Sequence, residues 1–242
     1  MHKTSSTMKT KLILILPFLL GILVSCDYQE DNYSETIEIE GISRVKISGM
    51  FNVTISQYDE ESLVVEGSES LVNKLKVKQS GDLLELTLNE ETGGGFFKKK
   101  GIRINLTVAD LKELEFEGAG NIKTTAALDL EDLRITGNGV GNISLEFDAE
   151  NVDAKLNFVG NMVLKGSAND FYLVNEGIGN IDASKLFAQN VDLVSSGIGN
   201  VSVHCENELS LDVNGVGSVN YTGDPTIIKE NVNGIGKVKR GK

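Results

Sequence analysis

The residues of this chain that could do chemistry are few and scattered. His204 and Cys205 are adjacent, the raw material of a nucleophilic pair. Such a pair needs its two side chains to face each other and a third group to orient the base. Neighbours on a strand point to opposite faces, so with His204 outward Cys205 is expected in the core. Asp153 and Asp192 occupy one position of the repeat described below, and a glycosidase would need two such acids to converge. Tyr172 falls between them, which leaves them as solvated outward charges. Gly137-Asn138-Gly139-Val140-Gly141 has the glycine content of a nucleotide loop. That loop requires a helix after it, and here another short strand follows. No His and Cys spacing suits zinc. The expectation is no enzyme: no catalytic residue, no cofactor, no metal and no nucleotide.

Cys26 suggests chemistry of another kind. Lys3, Lys9 and Lys11 precede an apolar run from Leu12 to Val24, too short to span a bilayer comfortably. Leu23-Val24-Ser25-Cys26 then resembles the lipobox of bacterial lipoproteins. That resemblance implies cleavage of residues 1–25 and acylation of Cys26, with several acyl chains anchoring the protein to the membrane. Residues 26–36 read as an acidic tether. The expected location is the Gram-negative cell envelope, as an outer membrane lipoprotein facing the periplasm or the surface.

The elements that must position everything else come from an internal repeat. A Gly-x-Gly-Asn turn recurs seven times, with steps of 21, 19, 19, 20, 18 and 19 residues. Its second glycine is Gly120, Gly141, Gly160, Gly179, Gly199, Gly217 and Gly236. A position this strict wants a positive φ or a close backbone approach. The residue before that glycine is always apolar. After it come Asn121, Asn142, Asn161, Asn180 and Asn200, then Ser218 and Lys237. Asn tolerates the left-handed region, and its amide can bond locally or to the Asn of the next coil. Five amides in register could also hold a glycan or a cation.

Strands flank each turn. After it, apolar residues alternate with polar ones, as in Ile143 and Leu145 or Val201 and Val203. Before it, nine residues ahead of the Asn position, stand Lys112, Leu133, Val152, Phe171, Val191, Leu209 and Ile228. Seven ahead stand Leu114, Ile135, Ala154, Leu173, Leu193, Leu211 and Glu230. One unit cannot bury its apolar face alone, and each inward side chain contributes roughly 1.5–3 kcal/mol only when a neighbour covers it. The fold class is therefore all-β, a parallel β-helix with coils of about 19 residues. Right-handed winding is the expected sense for parallel crossovers.

The earlier part of the chain is less regular. Leu71 to Leu88 reads as a hairpin turning at Gly81-Asp82. Gly93-Gly94-Gly95-Phe96-Phe97-Lys98-Lys99-Lys100 reads as a loop, either a contact tip or a Phe folded back on the core. The domain plan is a signal peptide over 1–25, a tether over 26–36 and one β-helix over 37–242, irregular to 108 and regular over 109–242.

Phe51-Asn52-Val53-Thr54-Ile55, Leu63-Val64-Val65-Glu66-Gly67, Leu83-Leu84-Glu85-Leu86, Leu114 to Asn121 and the later turns together resemble the GIN-domain family, the head domain of auto-transporter adhesins. The resemblance spans about residues 37–239 and implies a right-handed β-helix, an envelope location and adhesion. It supplies no catalytic residues. A lipid anchor departs from a true auto-transporter, which carries a C-terminal membrane barrel.

Charge narrows the partners. The whole chain carries a formal charge of -12, and removal of residues 1–25 takes away three lysines and no acid, leaving -15. Such a surface repels nucleic acid. The expected partners are the membrane, through the lipid, and a glycan or cell-surface protein. The alternatives are a carbohydrate-active β-helix enzyme, which needs a cleft of converging acids, and a structural envelope component.

Overall fold

A computed structural model describes residues 33–88 and 101–241. Its strands are β1 (Tyr33–Ile37), β2 (Arg44–Gln57), β3 (Ser62–Gly67), β4 (Leu75–Ser80), β5 (Leu83–Leu88), β6 (Ile102–Val108) and β7 (Glu113–Thr124). There follow β8 (Leu128–Asn175), β9 (Ile178–Ser195), β10 (Ile198–Val213), β11 (Val216–Thr222), β12 (Thr226–Val232) and β13 (Ile235–Arg240). The one helix among the described residues is a single turn, α1 (Glu69–Val72).

From β2 onward the coils stack in parallel, giving a solenoid of about six turns. β2 pairs β7, β7 pairs β8, β8 pairs β9 and β9 pairs β10. β10 pairs both β11 and β12, and β11 pairs β13. β8 is 48 residues long because its extended backbone runs through successive coils without a break.

The register matches the repeat. Gly120 lies opposite Gly141, Gly160 opposite Gly179, and Asn180 opposite Asn200. Inward columns fill the interior: Ile135, Ala154, Leu173, Leu193 and Leu211 are all fully buried. Where the first glycine of the turn is replaced by Phe158, its ring turns inward and meets Phe116 edge-on, centroids 5.8 Å apart. Gly137 makes room for Phe116, since a Cβ there would lie 2.4 Å from the Phe116 ring.

Several expectations need correction. Lys112 is exposed and Leu111 takes the inward place. Ile228 is 59% exposed, in a strand, β12, whose residues are all exposed, and a register slip between Leu209 and Ser210 also leaves it outside the ladder. Glu230 is exposed too. The irregular part also contains antiparallel pairs. β1 pairs β3 and β3 pairs β6, whereas β4 with β5 makes the hairpin expected at Gly81-Asp82. Strand structure begins at Tyr33, inside the stretch read as tether.

The hairpin is tied to the first coil at its turn. Arg44 donates from Nε and Nη2 to the two Asp82 oxygens at 2.9 and 2.7 Å, and Ser43 Oγ adds a bond at 2.8 Å.

Candidate functional site

In six of the seven turns the second glycine stands where a Cβ would strike the coil beneath. Gly179 has φ +141, and a Cβ on it would meet the Gly160 carbonyl oxygen at 1.9 Å. Gly120, Gly141, Gly160, Gly199 and Gly217 share the positive φ and the contact with the coil beneath. Gly236, in the last coil, has its nearest such oxygen at 3.0 Å. The column is thus a stacking device.

The Asn column faces solvent and forms a ladder along the solenoid axis. Nδ2 of Asn142 donates to Asn121 Oδ1 at 3.1 Å, and Asn161 to Asn142 at 3.2 Å. Asn180 donates to Asn161 at 3.1 Å, and Asn200 to Asn180 at 2.9 Å. Ser218 closes one end through Oγ to Asn200 at 2.5 Å. Among the described residues no non-glycine residue has a positive φ, so the left-handed role for Asn is set aside. The ladder also has a member absent from the seven-fold repeat. Asn52 accepts from Asn121 at 2.7 Å. Its turn reads Gly49-Met50-Phe51-Asn52, with Phe51 in place of the second glycine, so the pattern hides it.

Two residues before each Asn, the apolar position between the glycines also faces out. Val140, Val159, Ile178, Ile198, Val216 and Ile235 are between 42% and 81% exposed. They are registered neighbours: Val159 lies opposite Ile178, Ile178 opposite Ile198, Ile198 opposite Val216 and Val216 opposite Ile235. At about 4.8 Å per coil they form an aliphatic ridge roughly 25 Å long. Single exposed aliphatics are ordinary; here six stand in one stripe along the solenoid. Alternation sets the direction: Ile143, Ile181 and Val201 face in, so Val140, Ile178 and Ile198, three residues earlier, face out.

The residues singled out for chemistry do not converge. Cys205 is fully buried, its thiol directed at the carbonyls of Gln189 and Glu208, and burial pushes its pKa up. His204 lies on the other face, bonded to Thr222 at 2.9 Å and to Glu206 at 2.5 Å. Its ring meets exposed Phe187 edge-on at 4.8 Å. Asp153 pairs with Lys155 at 3.2 Å and stands 3.7 Å from Arg134, while Asp192 is exposed opposite Tyr172. Gly137 to Gly141 lies within β8, so no helix follows it. Among the described residues no group of His, Cys, Asp and Glu is placed to hold a metal ion. Cys26 and the loop residues Phe96, Phe97, Lys98, Lys99 and Lys100 lie outside the described residues. No helix among the described residues is long and apolar enough to cross a membrane.

A stack of parallel coils with outward columns in register defines a class, the parallel β-solenoid. Within that class the chain belongs to the family described as "Putative auto-transporter adhesin, head GIN domain", whose profile matches residues 42–225. Among solved structures it is similar to a "putative adhesin" from Bacteroides fragilis NCTC 9343. The TM-score is 0.81 at 24% identity, over 87% of this chain and 97% of that one. A "putative adhesin" from Parabacteroides merdae ATCC 43184 gives a TM-score of 0.63 at 18% identity, over 87% and 96% of the two chains. A "putative lipid binding protein" from Parabacteroides distasonis ATCC 8503 gives 0.62 at 19% identity, over 88% and 98%. These likenesses establish the fold. No curated protein matches the chain.

Proposed function

We propose that this protein is a lipid-anchored envelope protein that presents a rigid β-solenoid for adhesion and carries out no catalysis. The observation that carries this reading is the ridge, six registered aliphatic side chains displayed to solvent on a backbone that the glycine column holds fixed. A preformed apolar surface loses little entropy on binding. Branched aliphatic side chains suit a protein partner better than a sugar, because they complement apolar side chains and offer no hydrogen bonds. The family's adhesin description and the resemblance of residues 23–26 to a lipobox support the placement at the envelope.

The test is whole-cell adhesion together with lipid labelling. Cells making the wild-type chain incorporate labelled palmitate into it and adhere to a partner surface. Cells making Cys26→Ser do neither, although the chain is still synthesised. Persistent labelling of Cys26→Ser would refute the anchor, and adhesion independent of the protein would refute the role.

A further inference from the structure

On the strands that precede the turns lies a second surface that the ridge does not use. We propose that it is a binding cleft for a neutral oligosaccharide. Its floor is one outward column: Arg44 opposite Glu113, Glu113 opposite Arg134, then Asp153 and Tyr172 in the next two coils. The cleft is a shallow groove open to solvent, with a volume of about 600 Å³, within the range of ligand sites. At about 4.8 Å per coil these five positions extend roughly 19 Å, long enough for a short chain of sugar rings.

The chemistry selects the ligand. Donor and acceptor alternate along the axis, from guanidinium to carboxylate and again from guanidinium to carboxylate, and the column ends on an aromatic ring. A sugar hydroxyl is both donor and acceptor, so a polyhydroxylated chain matches that alternation. Three cations and four carboxylates line the cleft. That near balance disfavours a phosphate chain or a polycation.

Two groups in the cleft have unused capacity. Asp153 Oδ1 has no hydrogen-bond partner and little contact with water, and an unpaired acceptor gains from a donor that reaches it. Arg134 stands 3.7 Å from Asp153 Oδ2 and makes no side-chain hydrogen bond among the described residues. Arg134 and Lys155, which stand near Asp153 Oδ2, are more than half exposed. Tyr172 offers its ring at the cleft end, with Lys155 Nζ 6.0 Å from the centroid. The negative face of such a ring attracts sugar C–H groups as it attracts cations. A peptide strand is a poorer fit, since the backbone here is consumed by coil-to-coil pairing and offers no free edge.

Isothermal titration of the detergent-solubilised full chain tests this with neutral hexaoses of glucose, mannose, galactose, xylose and N-acetylglucosamine, and with hexagalacturonate. At least one neutral hexaose is expected to bind with a Kd of roughly 1 mM or tighter. Tyr172→Ala and Asp153→Asn should each weaken it about tenfold or more, with the circular dichroism spectrum unchanged. Ile178→Asp with Ile198→Asp should leave it intact, which separates the cleft from the ridge and from the adhesive role assigned to it. Binding of hexagalacturonate alone, of no hexaose, or with wild-type affinity in Tyr172→Ala would overturn the proposal.

Discussion

Replacing Gly179 by Ala tests the stacking device at its centre. The backbone there has φ +141, a conformation that costs a side-chain-bearing residue about 1–3 kcal/mol. The added methyl would also sit 1.9 Å from the Gly160 oxygen, 2.9 Å from its carbonyl carbon and 3.0 Å from its nitrogen. Those atoms belong to a paired backbone and cannot swing aside, so the coils must part, at a further cost of about 1–3 kcal/mol. The sum is roughly 2–6 kcal/mol, against a typical domain stability of about 5–15 kcal/mol. For a domain of this size that lowers Tm by roughly 10 °C. Two controls isolate the cause. Gly81 has φ +61 and nothing within 4 Å of a Cβ, so Gly81→Ala bears only the strain, about 1 kcal/mol. Gly236 stands in the same repeat position as Gly179, but its contact is 3.0 Å, so Gly236→Ala should be the mildest of the column. Guanidinium denaturation followed by circular dichroism gives the three values. If Gly179→Ala costs no more than Gly81→Ala, the close approach of stacked coils is not what the glycines serve.

Two further outcomes follow from the surface. Asn161 gives one ladder bond and receives another, at 3.2 and 3.1 Å, so Asn161→Ala should cost about 1–2 kcal/mol and Asn52→Ala, with one bond, about half of that; equal costs in denaturation would contradict a ladder. The hydrogen bond from Arg44 holds Asp82 well below the ordinary carboxylate range, and Lys78 lowers Glu85 and Lys229 lowers Asp212 in the same direction. The folded state then binds fewer protons than the unfolded one, so this stabilisation is complete above about pH 5 and fades as acidification carries the solution through pH 4 and below. These groups are exposed, so the effect is modest and weakens with salt. Urea midpoints should fall between pH 6 and pH 3, less so in Asp82→Asn, and a midpoint that rises on acidification would contradict the assignment.

The repeat was readable because stacking imposes the same demand on every coil. Gly120, Gly141 and Gly179 each lie over a carbonyl of the coil beneath, so the constraint recurs at the coil's own length. The inward columns were readable for the same reason, except where local geometry changed the count. Ile228 has the right type in the right place, but the slip after Leu209 takes it out of register. Asn52 was hidden because Phe51 replaces the signature glycine in the first coil, which β5 and β6 cover on its other side. The antiparallel pairing of β1, β3 and β6 was not readable, since pairing between distant strands leaves no period in the sequence. The direction of the ridge was implicit in the period of two. Val140 and Ile143 are three residues apart, so the alternation that buries Ile143 turns Val140 outward.

The central claim is that this outward column makes the contact in adhesion. Beads coated with the detergent-solubilised full chain measure it directly, with wild type compared to Ile178→Asp combined with Ile198→Asp. Both side chains are 51% exposed, so the change should leave folding within about 1 kcal/mol of wild type. The double variant should lose most bead adhesion to the partner surface with Tm nearly unchanged. Full adhesion by the folded double variant would contradict it.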